Sequence, residues 1–415
     1  EVVEELIARA PSEVTLCGRD STWDITLGDA RVYLGTGGTA LNVLDLDTGE
    51  KRPSTLQDVA QAARLVDALD NIHFFVLPLY PNELRKEVVD VNRFFAGISN
   101  TSKHVMGGIY TKEGAVEVIR MAEIIAGGPD RLRERPFISM ITCVMSPLKM
   151  DNLYTELLIT VAESGIPLAI PAEPQCGSTS PVTLAANVAQ MNAETLSGIA
   201  LAQIVNPGTP VLYGSVATVS DMRTMSYLSG AVEMGLINAA GAQMAQRYGI
   251  PYYATAGMSD SKVPDVQAGY EKAMTAVMVA LAGANYIHDA AGLLEFAMTV
   301  SYEQYVIDNE IVGMALRAVK GIAVCKETLA CDVIARVGPG GHFLAEDHTV
   351  RHMRSEFFYP QVADRNNRST WEKEGSLDAR ARARDIARQL LSEHEPLAIP
   401  EDVYTRVKET IKGLA

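Results

Sequence analysis

Residues 251–289 carry the reading that decides the fold. Pro251-Tyr-Tyr-Ala-Thr-Ala256 is a short apolar run. It breaks into Gly257-Met-Ser-Asp-Ser-Lys-Val-Pro-Asp265, passes through a helical pattern, and reaches the next apolar run, Asn285-Tyr-Ile-His-Asp289. Strand, loop, helix and strand follow in the order of a parallel βαβ unit, which takes roughly 30 residues or more. The same phrase recurs along the chain. Candidate strands begin at Ile72, His104, Phe137, Ile166, Pro210, Pro251 and Asn285, and successive starts lie 32, 33, 29, 44, 41 and 34 residues apart. The runs are apolar rather than alternating, as expected of strands buried on both faces. This predicts an α/β fold, a (β/α)8 TIM barrel, whose chemistry sits on the loops after the strands.

The 415 residues suit such a barrel with extensions, which takes 250 to about 400 residues. Apolar residues make up 47% and charged residues 21%, an ordinary globular balance. A net charge of −15 argues against nucleic acid and anionic membrane as partners, since both require a basic face. Five cysteines with no Cys-x-x-Cys indicate neither a disulfide framework nor a thiolate zinc cage, and a reducing cytoplasm is expected. No apolar run is long enough to span a bilayer. The chain starts inside an apparent helix (Val2, Val3, Leu6, Ile7), which predicts that residues precede Glu1.

Three segments are expected. Residues 1–53 form a helix and a small β cap, with a hairpin about Gly28-Asp29 joining Asp24–Leu27 to Arg31–Leu34, and a turn at Asp47-Thr-Gly49. Residues 54–350 form the barrel, opened by Ser54 as N-cap of a helix over 56–69. Residues 351–415 add C-terminal helices over 379–392 and 401–411, the second with Val403, Val407 and Ile411 on one docking stripe. Strand eight is expected at Val333–Val337 or at His342–Glu346, either side of the turn Gly338-Pro-Gly-Gly341. The helix over 226–246 is apolar nearly all round, which predicts packing against a second subunit and a homo-oligomer.

The exit of strand seven is the first place to look for chemistry. His288 falls at a strand end with Asp289 beside it, and Phe296 follows in the loop. An imidazole there can donate to a carboxylate and a ring face can hold a cation; a backbone-tied histidine and a rim phenylalanine are the plainer alternatives. Tyr80, Tyr110 and Tyr213 fall at or near other strand ends, and three tyrosines around one mouth suit a methylated ammonium. Glu173 and Asp260 can complement a cation or act as a base, although Asp260 equally fits a turn cap. Glu295 reads as an exposed loop acid. Lys262 stands where a Schiff-base lysine belongs, but its Ser, Asp and Pro neighbours are no amine-neutralising pocket. His348 and His352 have helical spacing without the Glu of a His-Glu-x-x-His motif, so no metal is expected. The loop Gly338, Gly340, Gly341 and His342 reads as a phosphate site, as a contact for a cofactor tail brought by a partner, or as a simple turn. Gly35-Thr-Gly-Gly38 lacks the βαβ setting of a nucleotide loop and reads as a turn.

Four stretches, Gly35-Thr-Gly-Gly-Thr-Ala40, Tyr213-Gly-Ser215, Ala256–Asp265 with Gln267, and Ala335-Arg-Val-Gly-Pro-Gly-Gly-His-Phe-Leu344, resemble the trimethylamine methyltransferase superfamily over nearly the whole chain. The resemblance is to the branch without pyrrolysine, which demethylates quaternary amines such as glycine betaine; only standard residues occur here. It implies methyl transfer to cobalt(I) of a corrinoid held by a separate protein, with dimethylglycine released and no cofactor bound tightly by this chain. In that setting Phe296 with a tyrosine such as Tyr110 or Tyr213 contacts the trimethylammonium, His288 binds the carboxylate or a neighbouring oxygen, Asp260 or Glu173 shapes the field, and the Gly338–His342 loop faces the corrinoid. Proline betaine and carnitine are alternative substrates. A Schiff-base lyase using Lys262 and a non-catalytic betaine-binding barrel are the alternatives of other classes.

Overall fold

The computed structural model describes residues 1–414. An N-terminal pair, β1 (Val14–Leu16) and β2 (Ile25–Leu27), is antiparallel. Eight parallel strands follow: β3 (Tyr33–Thr36), β4 (Phe74–Val76), β5 (His104–Gly108), β6 (Ile138–Ile141), β7 (Leu168–Ala172), β8 (Val211–Ser215), β9 (Tyr252–Thr255) and β10 (Tyr286–Ala291). Their spatial order is β3-β10-β9-β8-β7-β6-β5-β4. The ends meet where the His73 amide donates to the Leu34 carbonyl (2.9 Å) and the Thr36 hydroxyl to the Val76 carbonyl (2.7 Å). Each strand is followed by a covering helix: α1 (Leu56–Asp67), α2 (Lys86–Asn100), α3 (Lys112–Ala126), α4 (Asn152–Ser164), α5 (Leu184–Val205), α6 (Val232–Tyr248), α7 (Val266–Leu281) and α8 (Tyr302–Lys320).

The seven strands expected from the repeating phrase all form. The eighth does not lie at either expected place. Residues 331–337 are helical, His342–Glu346 forms no strand, and β3 closes the barrel from the N-terminal side. The hairpin about Gly28-Asp29 therefore does not form: β2 pairs back onto β1, while the chain after Asp29 enters the barrel. The physical reason is burial. Leu34, with no exposed surface, gains more inside the barrel wall than on a two-stranded ribbon. Thr55, not Ser54, is the N-cap of α1. Its hydroxyl accepts from the Asp58 amide, and Asp58 accepts from the Thr55 amide, a complete capping box. Ser54 instead donates to the Tyr80 carbonyl (2.6 Å).

β1 and β2 plug the floor of the barrel. Val14, Leu16, Ile25 and Leu27 pack with inward side chains of the strands, among them Phe74, Met106, Leu212, Tyr253 and Tyr286. The rings of Phe74 and Tyr286 stack at 3.5 Å, Tyr286 and Tyr253 at 5.5 Å, and Tyr253 and His288 at 4.1 Å. An aromatic column thus rises from the sealed floor to the open C-terminal mouth and ends on the imidazole.

The mouth is flanked by two small sheets. Asn42–Leu44, Lys51–Pro53, Leu293–Leu294 and Thr299–Ser301 form one, around the expected turn at Gly49. Gln175–Cys176, Thr218–Ser220 and Tyr227–Leu228 form the other. The C-terminal helices, α9 (Ala379–Glu393) and α10 (Glu401–Thr410), form as expected, with Val407 and Ile411 buried against the body. Residues 321–357 are different. They make an arm rooted beyond the end of α8, in which only Val333 is buried. α8 runs away from the mouth. Halfway along, its Asn309 already bonds Asn71, which precedes β4 on the floor side (2.9 and 3.0 Å). The turn Gly338–His342 lies on this arm, so it does not follow a barrel strand and does not rim this chain's mouth. No strand precedes it, and that is why a strand-end site cannot form there.

Candidate active site

β10 builds the centre of the mouth. Its pairing with β3 shifts register between Ile287 and Ala291, and Asp289 takes a left-handed φ of +65°. Such irregularities cost energy, re-aim side chains and cluster at functional sites. Here the shift leaves both His288 and Asp289 buried at the top of the barrel. A Cβ on Gly37 would come 2.8 Å from His288 Nδ1 and closer still to Asp289, so the glycine of the first motif is required by this close approach.

The hydrogen bonds define the imidazole's tautomer. The Thr255 hydroxyl lies 3.0 Å from the Ser215 carbonyl, which can only accept, so it donates there. It is also 2.6 Å from His288 Nε2, and with its one proton engaged it must accept from Nε2–H. Nδ1 lies 3.0 Å from Asp289 Oδ1, but the approach is too oblique for a hydrogen bond, and both atoms lack an aligned partner. The neutral imidazole therefore has its single N–H occupied, and Nδ1 becomes a donor only in the imidazolium.

Glu173, just past β7, is the free carboxylate. Water reaches its side chain at the mouth, although protein surrounds it on most sides. That enclosure first, tempered by the access of water, and then the charge of Asp289 push its carboxyl up to about 7. Cys143, past β6, is pushed up to about 12 by burial and then by Glu173, so its thiol stays protonated and is no nucleophile. Tyr227, from the small sheet over the mouth, is held as a phenol by burial and then by Glu173, Asp289 and Asp260. Tyr154 is raised by burial first and also feels Cys143, Tyr110 and Glu173. The mouth thus gathers tyrosine rings near carboxylates.

The other candidates divide. Tyr110 stays at the rim, edge-on to Tyr80 at 5.5 Å, with the Arg93 guanidinium 5.3 Å from its ring. Phe296 lies in the loop after β10, and the Lys262 ammonium already sits 4.4 Å from its ring centre. The ring is thus shown to face a cation. Glu295, Phe296 and Ala297 have φ of +52°, +57° and +62°, three left-handed residues in a row. Glu295 holds this turn: it pairs with Lys51 (2.8 Å), accepts from Thr299 (2.6 Å), and its amide donates to the Ser261 carbonyl (2.8 Å). It is an anchor rather than an exposed acid.

Tyr213 does not reach the mouth. It points into the helix layer, where its hydroxyl donates to Asn192 (2.9 Å) and its ring meets Tyr248 and Tyr252. Position parity explains this, since the neighbouring Leu212 is the inward residue. Asp260 accepts from the Ser229 amide and hydroxyl (2.7 Å each) and the Gly230 amide (3.1 Å), so it ties two loops together. Lys262 donates to the Asp260 carbonyl (2.8 Å) and is exposed, unlike a Schiff-base lysine in an apolar pocket. His348 and His352 lie on the arm and both contact Glu327. Sequence reading missed Tyr227, Tyr154 and Tyr253. Only Tyr253 left a signal, being two residues before Thr255 on the inward side of its strand.

The parallel strands and covering helices define a (β/α)8 barrel, and comparison defines the family. The family model described as trimethylamine methyltransferase (MTTB) matches residues 1–413, and the chain belongs to that family of methyltransferases. It is 39% identical to a trimethylamine methyltransferase of Desulfitobacterium hafniense, over 99% of this chain and 82% of the relative. It is 37% identical to a glycine betaine methyltransferase of the same species, over 99% and 86%. The crystal structure of Methanosarcina barkeri monomethylamine methyltransferase matches with a TM-score of 0.52 at 13% identity, over 95% of this chain and 80% of that one, a likeness of fold.

Proposed function

We propose that this methyltransferase moves a methyl group from a quaternary amine, glycine betaine in the first instance, to cobalt(I) of a corrinoid carried by a separate protein. The two relatives differ by only two points of identity, so identity alone does not choose between trimethylamine and betaine. The mouth does. Glu173 and Asp289 near the rings of Tyr227 and Tyr154 support the binding of a nitrogen that is already cationic. Such a substrate needs no acid to activate it. As the acceptor's electron pair forms the new bond to carbon, the C–N pair returns to nitrogen and a neutral tertiary amine leaves.

The chain's own work is then binding, aim and exclusion of water. Rings and carboxylates hold the ammonium. His288 binds the substrate carboxylate or a neighbouring oxygen, with Nε2–H fixed on Thr255. Phe296 supplies a further ring face, and Tyr110 closes the rim. The corrinoid protein approaches the same mouth, the only end of the barrel that β1 and β2 leave open.

The carrying observation is the enclosed, water-reachable Glu173 beside Asp289. The test is a substrate panel with reduced corrinoid protein, read by methyl-cobalt absorbance. Glycine betaine, or another quaternary amine such as proline betaine or carnitine, should methylate cobalt. Methylation from trimethylamine alone would overturn the reading.

A further inference from the structure

The arm of residues 321–357 has no intramolecular reason to be apolar. Ile322, Val324, Ile334, Leu344, Val350 and Phe357 are between 57% and 84% exposed. Its helices, Lys326–Leu329, Cys331–Val337 and Asp347–Glu356, are of lengths that are marginal in water alone, and none packs extensively on the barrel. A second unpartnered apolar surface lies elsewhere. On α7, Val266, Tyr270, Met274 and Leu281 fall on one side of the helix and are 83%, 55%, 49% and 60% exposed. Leu236 of the adjacent α6 extends that surface.

From these two surfaces we infer that the chain self-associates by exchange: the 321–357 arm of each protomer lies across the α6–α7 face of a second copy. Three observations choose a second copy over another partner. One chain carries both surfaces, and in the structure its own arm does not cover its own α7. The chain is strongly acidic, with a net charge of −15, and would repel its copy. The arm, residues 321–357, sets four cations (Lys326, Arg336, Arg351, Arg354) against five anions (Glu327, Asp332, Glu346, Asp347, Glu356), a net charge of −1. It is a nearly neutral, apolar contact on a charged protein. Two such arms on two such faces would cover roughly 2,000 Å², the scale of a stable homodimer. A reciprocal exchange is also isologous, the common symmetry of dimers. The arm roots on the floor side of the barrel, so this contact leaves the mouth open.

Sedimentation velocity on the purified chain at micromolar concentration tests the inference. The wild type should run at twice the chain mass or a higher even multiple. The arm variant Ile322→Asp/Leu344→Asp and the face variant Tyr270→Glu/Met274→Glu should each weaken self-association by about 100-fold or more, with unchanged far-ultraviolet circular dichroism. All four residues are exposed, so loss of folding is not expected; an unfolded variant is replaced by Leu344→Ser or Met274→Ser, read for the same shift. Mixing the two variants should restore dimer, because one intact arm then meets one intact face. A monomeric wild type, an arm variant that assembles normally, or a face variant that assembles while the arm variant does not would each overturn it.

Discussion

Lys272 and Asp308, both without exposed surface, lie 3.0 Å apart behind the two loops that carry Lys262 and Phe296. Lys272 also donates to the Gly257 carbonyl (2.6 Å), and Asp308 accepts from the Gly292 amide (2.7 Å) and the Gln304 amide (2.8 Å). The pair therefore clamps the first turn after β9 to the first turn after β10. Lys272→Met leaves a carboxylate buried without its cation. It should cost about 3–5 kcal/mol in urea unfolding, while replacing both residues by apolar side chains of similar volume should recover much of the loss. An unchanged midpoint for the single variant would show that the pair is not a clamp.

Glu173 makes substrate binding depend on pH. Its carboxyl, raised to about 7, is neutral below that value and anionic above it. Binding of a quaternary cation should weaken by about tenfold from pH 8 to pH 6, one pKa unit's worth of differential interaction. Glu173→Gln should bind weakly and without that slope. Because the folded value exceeds the unfolded one, ionisation costs stability, a cost absent below about pH 4 and complete above pH 7. The variant should thus melt higher than the wild type at pH 8, as calorimetry would show.

The ring of Phe296 and the ammonium of Lys262 set a second measurement. Phe296→Ala should weaken quaternary amine binding by about 1–3 kcal/mol through lost cation–π contact and packing. Lys262→Met removes both a competing and a repelling cation, and should tighten binding by calorimetric titration. Unchanged affinity in both variants removes this loop from the site.

Gly37→Ala drives a methyl group into Asp289 and His288. Methyl transfer should fall at least about tenfold and stability by about 1–3 kcal/mol, with circular dichroism unaltered. Full activity would place the His288–Asp289 bulge outside the chemistry.

Asp67 joins the C-terminal tail to α1. Burial would raise its carboxyl, but hydrogen bonds from Ser102, His394 and Thr101 outweigh burial and hold it below the usual range. The stabilisation is complete above about pH 4 and is lost as acid protonates the folded form. Asp67→Asn should cost about 1–3 kcal/mol at pH 7 and much less in acid, measured by urea unfolding at both.

The barrel is largely legible from residues in series. Ile72 to Asn285 spells seven strands because each is a local apolar run with its own loop and helix. β3 is not legible in the same way. Tyr33-Leu-Gly-Thr36 is four residues long, contains a glycine and follows a good turn, so local rules favour a hairpin. Its partners, β10 and β4, are chosen only when the wall has a gap to fill. The candidate site divides similarly. His288 is legible as a polar residue at a strand end. Tyr213 misleads because being inward or outward depends on one residue of register, and Tyr227 is silent because the small sheet that brings it over the mouth joins loops far apart in the chain.

Residue types in order were enough to determine the class of fold, the end of the barrel where chemistry belongs, and the family motifs, since these depend on local periodicity and on short runs of glycine and apolar side chains. Only the folded chain decided which strand closes the wall, which carboxylate stays free (Glu173, not Asp260), how His288 is protonated at Nε2, and that the Gly338–His342 turn rides on an arm away from its own mouth. Those outcomes depend on hydrogen bonds and burial between segments distant in sequence, and no local pattern encodes which distant partner a side chain will meet.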